Sequence, residues 1–448
     1  MTTKLPGNDK YKPSGVVWLG EIPEGWEITS VKHVLEIPIC DGPHTTPQLY
    51  DEGIPFVSAE AIKNGEVDFE KIRGFISLKD HLLFSKKYSP KRNDIYMVKS
   101  GATTGNVAIV KTDIEFSIWS PLAVFRANQN KVIPNYLFYY LESSSFKVGV
   151  ELSWSFGTQQ NIGMGVLSNL PIAYPSIDEQ IQIAQFLGSK TALINQAIGI
   201  KEKQIELLKE RRQILIHLAV TRGLNPNVTM KDSGVEWIGE VPEGWEVKRL
   251  KNVSEVQSGV TLGKTYVGKN LPSFPYLRVA NVQAGFFKLD EVAEISLPSN
   301  IANKYFVRKG DILVTEGGDL DKLGRGTVWA GEIENCLHQN HIFAIRITSS
   351  IVSTEYTSMI MESDYGRKYF TNTANKTTNL ASTNSTKLGN FPLIIPPKNI
   401  QESIIKYVRN ASLKIATAIA LKQQEIEKLK EYKATLINSA VTGKVKVV

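Results

Sequence analysis

The sequence predicts a mixed α/β protein in which two similar α/β globules alternate with two long helices, the helices pairing as an antiparallel coiled coil about a pseudo-twofold axis. Three duplications predict it. SGVVWLGEIPEGWEITSVKHV at residues 14–34 returns as SGVEWIGEVPEGWEVKRLKNV at 233–253, an offset of 219 (237 − 18, from two tryptophans). IELLKERRQILIHLAVTRG at 205–223 returns as IEKLKEYKATLINSAVTG at 426–443, an offset of 221 (426 − 205). Between them, IPFVSAEAI, NDIYMVKSG and LAVFRA are answered in the same order by FPYLRVANV, GDILVTEGG and HIFAIRI. Self-similarity of this kind means one unit written twice. The expected divisions are a globule over residues 1–175, a long helix over 176–224, a second globule over 225–396 and a second long helix over 397–448.

In each globule, Pro-Glu-Gly-Trp makes a turn ahead of an alternating stretch and leads into a first strand. Trp18, Trp26, Trp237 and Trp245 read as packing anchors. Short strands follow, separated by Gly, Asn and Pro. PNYLFYYLESSSF at 134–146 opens with proline at a helix-start position and carries an apolar stripe, so it predicts one helix. EYTSMIMESDYGRKYF at 355–370 takes its place in the second half. Each globule closes on Pro-rich punctuation, PIAYPS at 171–176 and PLIIPP at 392–397.

Ser176 with Glu179 three residues on is a capping box that starts the first long helix. Asn399 is the expected cap of the second. Heptad spacing places Ile198, Ile205, Arg212 and Ala219 in one seam row and Lys201, Leu208 and Leu215 in the other. Ile419, Ile426, Lys433 and Ala440 repeat the first row, and Lys422, Leu429 and Leu436 the second. Both copies carry a basic residue at the same two seam positions. A polar seam residue costs stability and can fix register, so the two helices are expected to pair with each other. Gly223 suits a helix stop, and NPNVTMKD at 225–232 is the linker to the second half.

At 448 residues there is room for two or three domains. An apolar content of 42% and a charged content of 22% are those of a soluble protein. No apolar run of about 18 residues exists, so no membrane span is expected. MTTKLPGNDKYKPSG lacks the apolar core of a signal peptide, and two distant cysteines, Cys40 and Cys336, suggest no disulfide framework. A reducing cytoplasm fits. The net charge of +7 permits a polyanionic partner without requiring one.

Motifs for catalysis are defective. SGVTLGKT at 258–265 almost spells a phosphate loop, but three residues separate Gly259 from Gly263 where four are needed. It reads as a turn. Asn225-Pro226-Asn227-Val228 lacks the second proline and the aromatic that adenine methyltransferases use on a flipped base. His338 and His341 have no third metal ligand in pattern, and on a strand they would point in opposite directions. No catalytic residues, no metal and no cofactor are expected.

The GEIPEGWE and GEVPEGWE segments, PSIDEQIQIAQFL, and the helices ending LAVTRG and SAVTG resemble the specificity subunit of type I restriction-modification systems. The resemblance covers essentially the whole chain. It implies two target recognition domains, each reading half of a split duplex DNA sequence, with the helices as a ruler for the gap. It also implies two modification (methyltransferase) subunits docked on the helical regions and restriction subunits in the full complex. PPKNIQESIIKYV departs from the family's acidic Glu-Gln pattern, which Asp178, Glu179 and Gln180 fit better, so the two docking surfaces are not expected to be equivalent.

On that reading the bases are reached from polar turns, by Arg, Lys, Asn, Gln and acidic side chains, while Ser and Thr hold phosphates. In the first globule the candidates stand on turns 41–48 and 99–106: His44, Thr45, Thr46, Lys99, Ser100, Thr103 and Thr104. In the second they are Thr261, Lys264, Thr265, Arg278, Asn281, Glu316, Lys322 and Arg325. GTQQN at 157–161 and NKTTN at 375–379 form a third surface before each final strand. Two other functions compete. A stand-alone methyltransferase or NTP-dependent enzyme would bind a cofactor, and a coiled-coil scaffold for proteins would show no salt-dependent DNA affinity.

Overall fold

A computed structural model of the protein describes residues 7–153, 161–235, 238–261, 271–318, 323–324, 326–376 and 381–447. The chain forms two compact units, residues 1–202 with 423–448, and residues 203–422. Each unit holds one globule together with part of each long helix, so the unit boundaries fall inside the helices rather than at their ends.

In the first unit, Tyr11–Pro13 pairs antiparallel with Glu21–Pro23 ahead of the predicted turn. Glu27–Ser30 then pairs with Pro171–Tyr174, so the first and last strands of the globule close on each other, and PIAYPS is a strand as well as punctuation. The central sheet runs in the order Cys40–Asp41, Leu122–Phe125, Ile95–Val98, Val107–Ile109, Gly65–Val67, Ile62–Lys63. Its middle strands are continuous apolar runs because both faces are covered. Ile95 and Met97 face a core with Tyr136 and Leu137 of helix Pro134–Glu142. Tyr96 and Val98, one residue out of phase, face a second core with Val57, Phe116 and Ile118, on and beside a three-stranded sheet.

The second unit repeats this plan. Its main sheet orders Ser254–Ser258, Ile342–Ile347, Ile312–Thr315 and Gly326–Val328, and a second sheet joins Leu337–His338, Ser273–Leu277 and Ala293–Ser296. Glu246–Arg249 pairs with Pro392–Ile395 as the closing strands. A buried ion pair is also duplicated. Arg126 donates to both oxygens of Asp94, at 2.7 and 2.7 Å, and Arg346 donates to both oxygens of Asp311, at 2.8 and 2.6 Å.

Each predicted globule helix is two helices. Ser143 is extended, its hydroxyl donating to the Tyr140 carbonyl and accepting from Phe146 N–H, so it ends Pro134–Glu142 and caps Ser144–Leu152. Ser363 does the same between Thr354–Glu362 and Asp364–Thr373. Trp26 and Trp245 are buried as expected; Trp18 packs against the same core as Trp26, and Trp237 lies outside the described residues.

The long helices span Ile177–Arg222 and Lys398–Val441. The Ser176 hydroxyl accepts from Glu179 N–H, but Glu179 spends its carboxylate on the Trp26 indole N–H at 3.1 Å. Asn399 is not the second cap. It lies inside the helix, and the Pro397 carbonyl receives the N–H groups of Ile400 and Gln401. Proline fits there because a helix start has no use for its missing donor. What the two starts share is a buried glutamine. Gln180 accepts from Ile133 N–H and donates to the carbonyls of Lys131 and Pro175. Gln401 accepts from Ser353 N–H and donates to those of Ile351 and Pro396.

The seam positions are buried at Ile205, Ala219, Ile426, Leu436 and Ala440 and half-buried at Ile198, Leu208, Leu215, Ile419 and Leu429. In the first unit Lys201 Nζ lies 2.6 Å from Glu425, and Lys433 Nζ donates to Asn195 at 3.2 Å. In the second, Arg212 donates to Ser412 and pairs with Glu362 at 3.0 Å. Both helices stop on left-handed glycines, Gly223 at φ +77° and Gly443 at φ +68°.

Candidate nucleic-acid interface

Asp41 ends the edge strand of the first globule's central sheet, and its side chain is 1% exposed. Its carboxylate accepts Lys87 Nζ at 2.6 Å and Lys99 Nζ at 2.7 Å, with His44 Nε2 at 3.4 Å. Burial alone would raise this carboxyl's pKa. The hydrogen bonds and charges of Lys99 and Lys87 outweigh it, and the group is held below its ordinary value. Lys87 also donates to the Gly42 carbonyl at 3.1 Å.

This ion pair brings two candidate turns together, because Asp41 opens turn 41–48 and Lys99 opens turn 99–106. The third surface joins them: Ile162 N–H donates to the Lys99 carbonyl at 2.8 Å, and Ser100 bridges Asn161. Residues 157–160 of that surface lie outside the described residues. Strands Cys40–Asp41 and Ile95–Val98 are each antiparallel to Leu122–Phe125, so both turns leave the same end of the sheet.

The second globule gathers its turns in the same way. The Ser258 hydroxyl donates to the Asn340 carbonyl at 3.0 Å, and Val260 bridges Gln339. Glu316 N–H donates to the His341 carbonyl at 2.8 Å, and its carboxylate lies 2.5 Å from His341 Nδ1. Gly317–Gly318 pairs with Ala381–Ser382, which pairs in turn with Asn375–Lys376 at the start of NKTTN. Gln339 N–H donates to the Leu277 carbonyl, so Arg278 stands beside the same segment.

A glycine marks the equivalent point in both halves. A Cβ added to Gly42 would lie 2.0 Å from the Ile118 carbonyl oxygen, and one added to Gly259 would lie 2.0 Å from that of His338. Two backbones cross there, and no side chain fits. Gly259 in the phosphate-loop-like stretch thus has a packing reason that needs no nucleotide.

The candidates divide by what their polar atoms do. His44, Thr45, Thr46, Thr103, Thr261 and Arg278 are exposed. Ser100 is half-buried, and Thr104 donates its hydroxyl to the Gly101 carbonyl. Lys99 is committed to Asp41. Asn281 is buried, accepting from Arg278 N–H and donating to the carbonyls of Lys288 and Glu291, so it holds a loop. Glu316 holds His341. Lys264, Thr265, Lys322 and Arg325 lie outside the described residues.

His338 is fully buried at the end of strand Leu337–His338 with Nδ1 2.9 Å from the Ile342 carbonyl, whereas His341 is exposed in the turn before strand Ile342–Ile347, so the two part because they stand on different segments and not by alternation along one strand. Among the described residues, no group of three or more His, Cys, Asp or Glu could hold a metal ion, and no helix is long and apolar enough to cross a membrane. Sequence reasoning missed Asp41, Gln180, Gln401 and the Asp–Arg pairs. For the glutamines and the Asp–Arg pairs the signal was a polar residue recurring at the repeat offset, 221 for the glutamines (401 − 180), 217 for the aspartates (311 − 94) and 220 for the arginines (346 − 126), whereas Asp41 has no such counterpart.

Two copies of one α/β fold, each gathering its polar turns at one end of its sheet, define a recognition protein with two reading heads. Residues 23–210 and 242–431 each match the family model of the type I restriction modification DNA specificity domain, and the chain belongs to that family. It is 25% identical over 440 residues to the type I restriction enzyme MjaVIII specificity subunit of Methanocaldococcus jannaschii, covering 95% of this chain and 94% of that one. It is 24% identical over 396 residues to the StySPI specificity subunit of Salmonella potsdam, covering 87% and 82%. A chain from a solved structure concerned with complex assembly and conformational transition of the type I R-M system superposes with a TM-score of 0.66 at 16% identity, covering 94% of this chain and 98% of that one.

Proposed function

We propose that this chain is the specificity subunit of a type I restriction-modification complex, reading a bipartite duplex DNA site with its two globules. The observation that carries the reading is the double match to the specificity domain, coupled with the convergence of polar turns in each globule. Exposed His44, Thr45, Thr46 and Thr103 face DNA in the first head, and Thr261 and Arg278 in the second. Lys99, Asn281 and Glu316 shape the loops that carry them. The chain does no chemistry. Its modification partner flips the target adenine into its own pocket.

The long helices act as the ruler, paired as an antiparallel coiled coil. Two contacts in the first unit support the direction: from Asn195 to Lys201 on one helix, the partners fall from Lys433 to Glu425 on the other. The basic seam residues anticipated from the sequence supply those bonds. Two modification subunits dock on the outer helix faces, with restriction subunits beyond them. Leu193, Ile200, Leu207 and Ile214, spaced seven apart, are each at least half exposed on the first helix. At the repeat offset of 221 the second helix offers Lys414, Leu421, Lys428 and Thr435, so the two docking faces differ.

The ruler is tested by inserting seven residues, two helical turns, into both long helices. At about 1.5 Å per residue this adds about 10 Å, or roughly three base pairs at about 3.4 Å each. The gap in the methylated site should widen by that amount with both half-sites unchanged. Altered half-sites with an unchanged gap would overturn it.

A further inference from the structure

We infer that Asp41 is the positioning residue of the first reading head, and that Lys87, which it aims, holds one DNA backbone phosphate. This inference rests on the specificity-subunit reading above. The cluster contains one buried carboxylate and two ammonium groups, Lys87 and Lys99, so it carries a surplus positive charge. The surplus faces outward. The Lys99 side chain is 10% exposed, whereas those of Lys87 and His44 are 49% and 72% exposed.

Among the described residues the second head lacks this device. At the matching positions, Ser258 replaces Asp41 and Glu316 replaces Lys99, and Glu316 is occupied by His341. Lys304, which takes the place of Lys87 at the repeat offset of 217 (304 − 87), has no carboxylate at the Asp41 position to hold it. The two heads share a backbone frame and differ in charge at the same point. A buried carboxylate that fixes cations from separate segments removes the entropy of aiming them. A phosphate meeting Lys87 receives a pre-formed site. In the first head, Asp41 also ties turn 41–48 to turn 99–106, so its loss should disturb base readout as well as phosphate binding.

The test uses the full chain assembled with its methyltransferase, binding duplexes drawn from a randomised pool at a series of salt concentrations. Lys87→Met should leave both selected half-sites as they are and lower the salt slope by about one contact. Wild type should then lose roughly 3.5-fold more affinity than the variant between about 50 and 200 mM salt. Asp41→Asn should blur one half-site motif and leave the other sharp. A Lys87→Met slope equal to wild type, or two sharp motifs with Asp41→Asn, would overturn the inference. If Asp41→Asn fails to assemble, Lys87→Met alone decides. A wild-type complex that selects no split motif would sink the specificity-subunit reading itself, which separates the two failures.

Discussion

At the scale of single residues, each globule is organised by polar groups that its apolar surroundings would reject unless paired. Asp94 with Arg126 and Asp311 with Arg346 are bonded through both carboxylate oxygens, and Asp41 is held by two lysines. His338 is the exception, since burial pushes its pKa from 6.5 down to about 4 against the opposing bond to the Ile342 carbonyl. The unfolded chain therefore binds a proton that the folded one refuses between those two values. Stability is whole above pH 6.5 and falls as pH drops toward 4, by roughly 3 kcal/mol over the window. Thermal unfolding of His338→Leu should lose that slope between pH 7 and 4.5. An unchanged slope would assign the pH dependence to other groups. These residues were hard to read in advance because apolar periodicity treats a polar residue at a strand end as a turn. Asp94 reads as one end of the NDIYMVKSG strand and Asp41 as the opening of a polar turn, neither of them as a buried charge.

At the scale of elements, strands and long helices were legible and internal breaks were not. The strands Ile95–Val98 and Leu122–Phe125 fall where apolar runs put them, and the first long helix ends at the expected Gly223. The breaks at Ser143 and Ser363 were masked because the apolar stripe continues across them, while one serine both stops a helix and caps the next. The second long helix starts without Asn399 as a cap: the Pro397 carbonyl accepts its first backbone N–H groups, and the Gln401 side chain ties that start to the segment at Ile351 and Ser353. The exposed row on the first long helix carries its own prediction. Ile200→Lys with Leu207→Lys should leave the fold intact, since both side chains are about half exposed. It should weaken capture of the methyltransferase at least tenfold in a titration, on the order of 1.5–3 kcal/mol per apolar side chain kept from burial. Lys428 already stands at the position equivalent to Leu207, so the matching change on the second helix, Leu421→Lys, should cost less. Equal loss from both helices would remove the asymmetry.

At the scale of the whole molecule, the duplication explains both what the two halves share and what separates them. Backbone crossings at Gly42 and Gly259, closing strands, capped helix pairs and glutamine clamps recur in each half. The recognition turns do not: the halves answer Asp41 with Ser258 and Lys99 with Glu316. A frame kept twice with different loops is what two independent readings of DNA require. The turns could be located from the sequence as polar stretches between strands. Their convergence could not, because it depends on ion pairs and backbone bonds between segments far apart in the chain. The most direct measurement is selection of randomised duplex DNA by the chain assembled with its methyltransferase. Two short motifs at a fixed spacing are the predicted result. A single continuous motif would mean that one head alone reads DNA, and no enrichment by an intact complex would contradict the account.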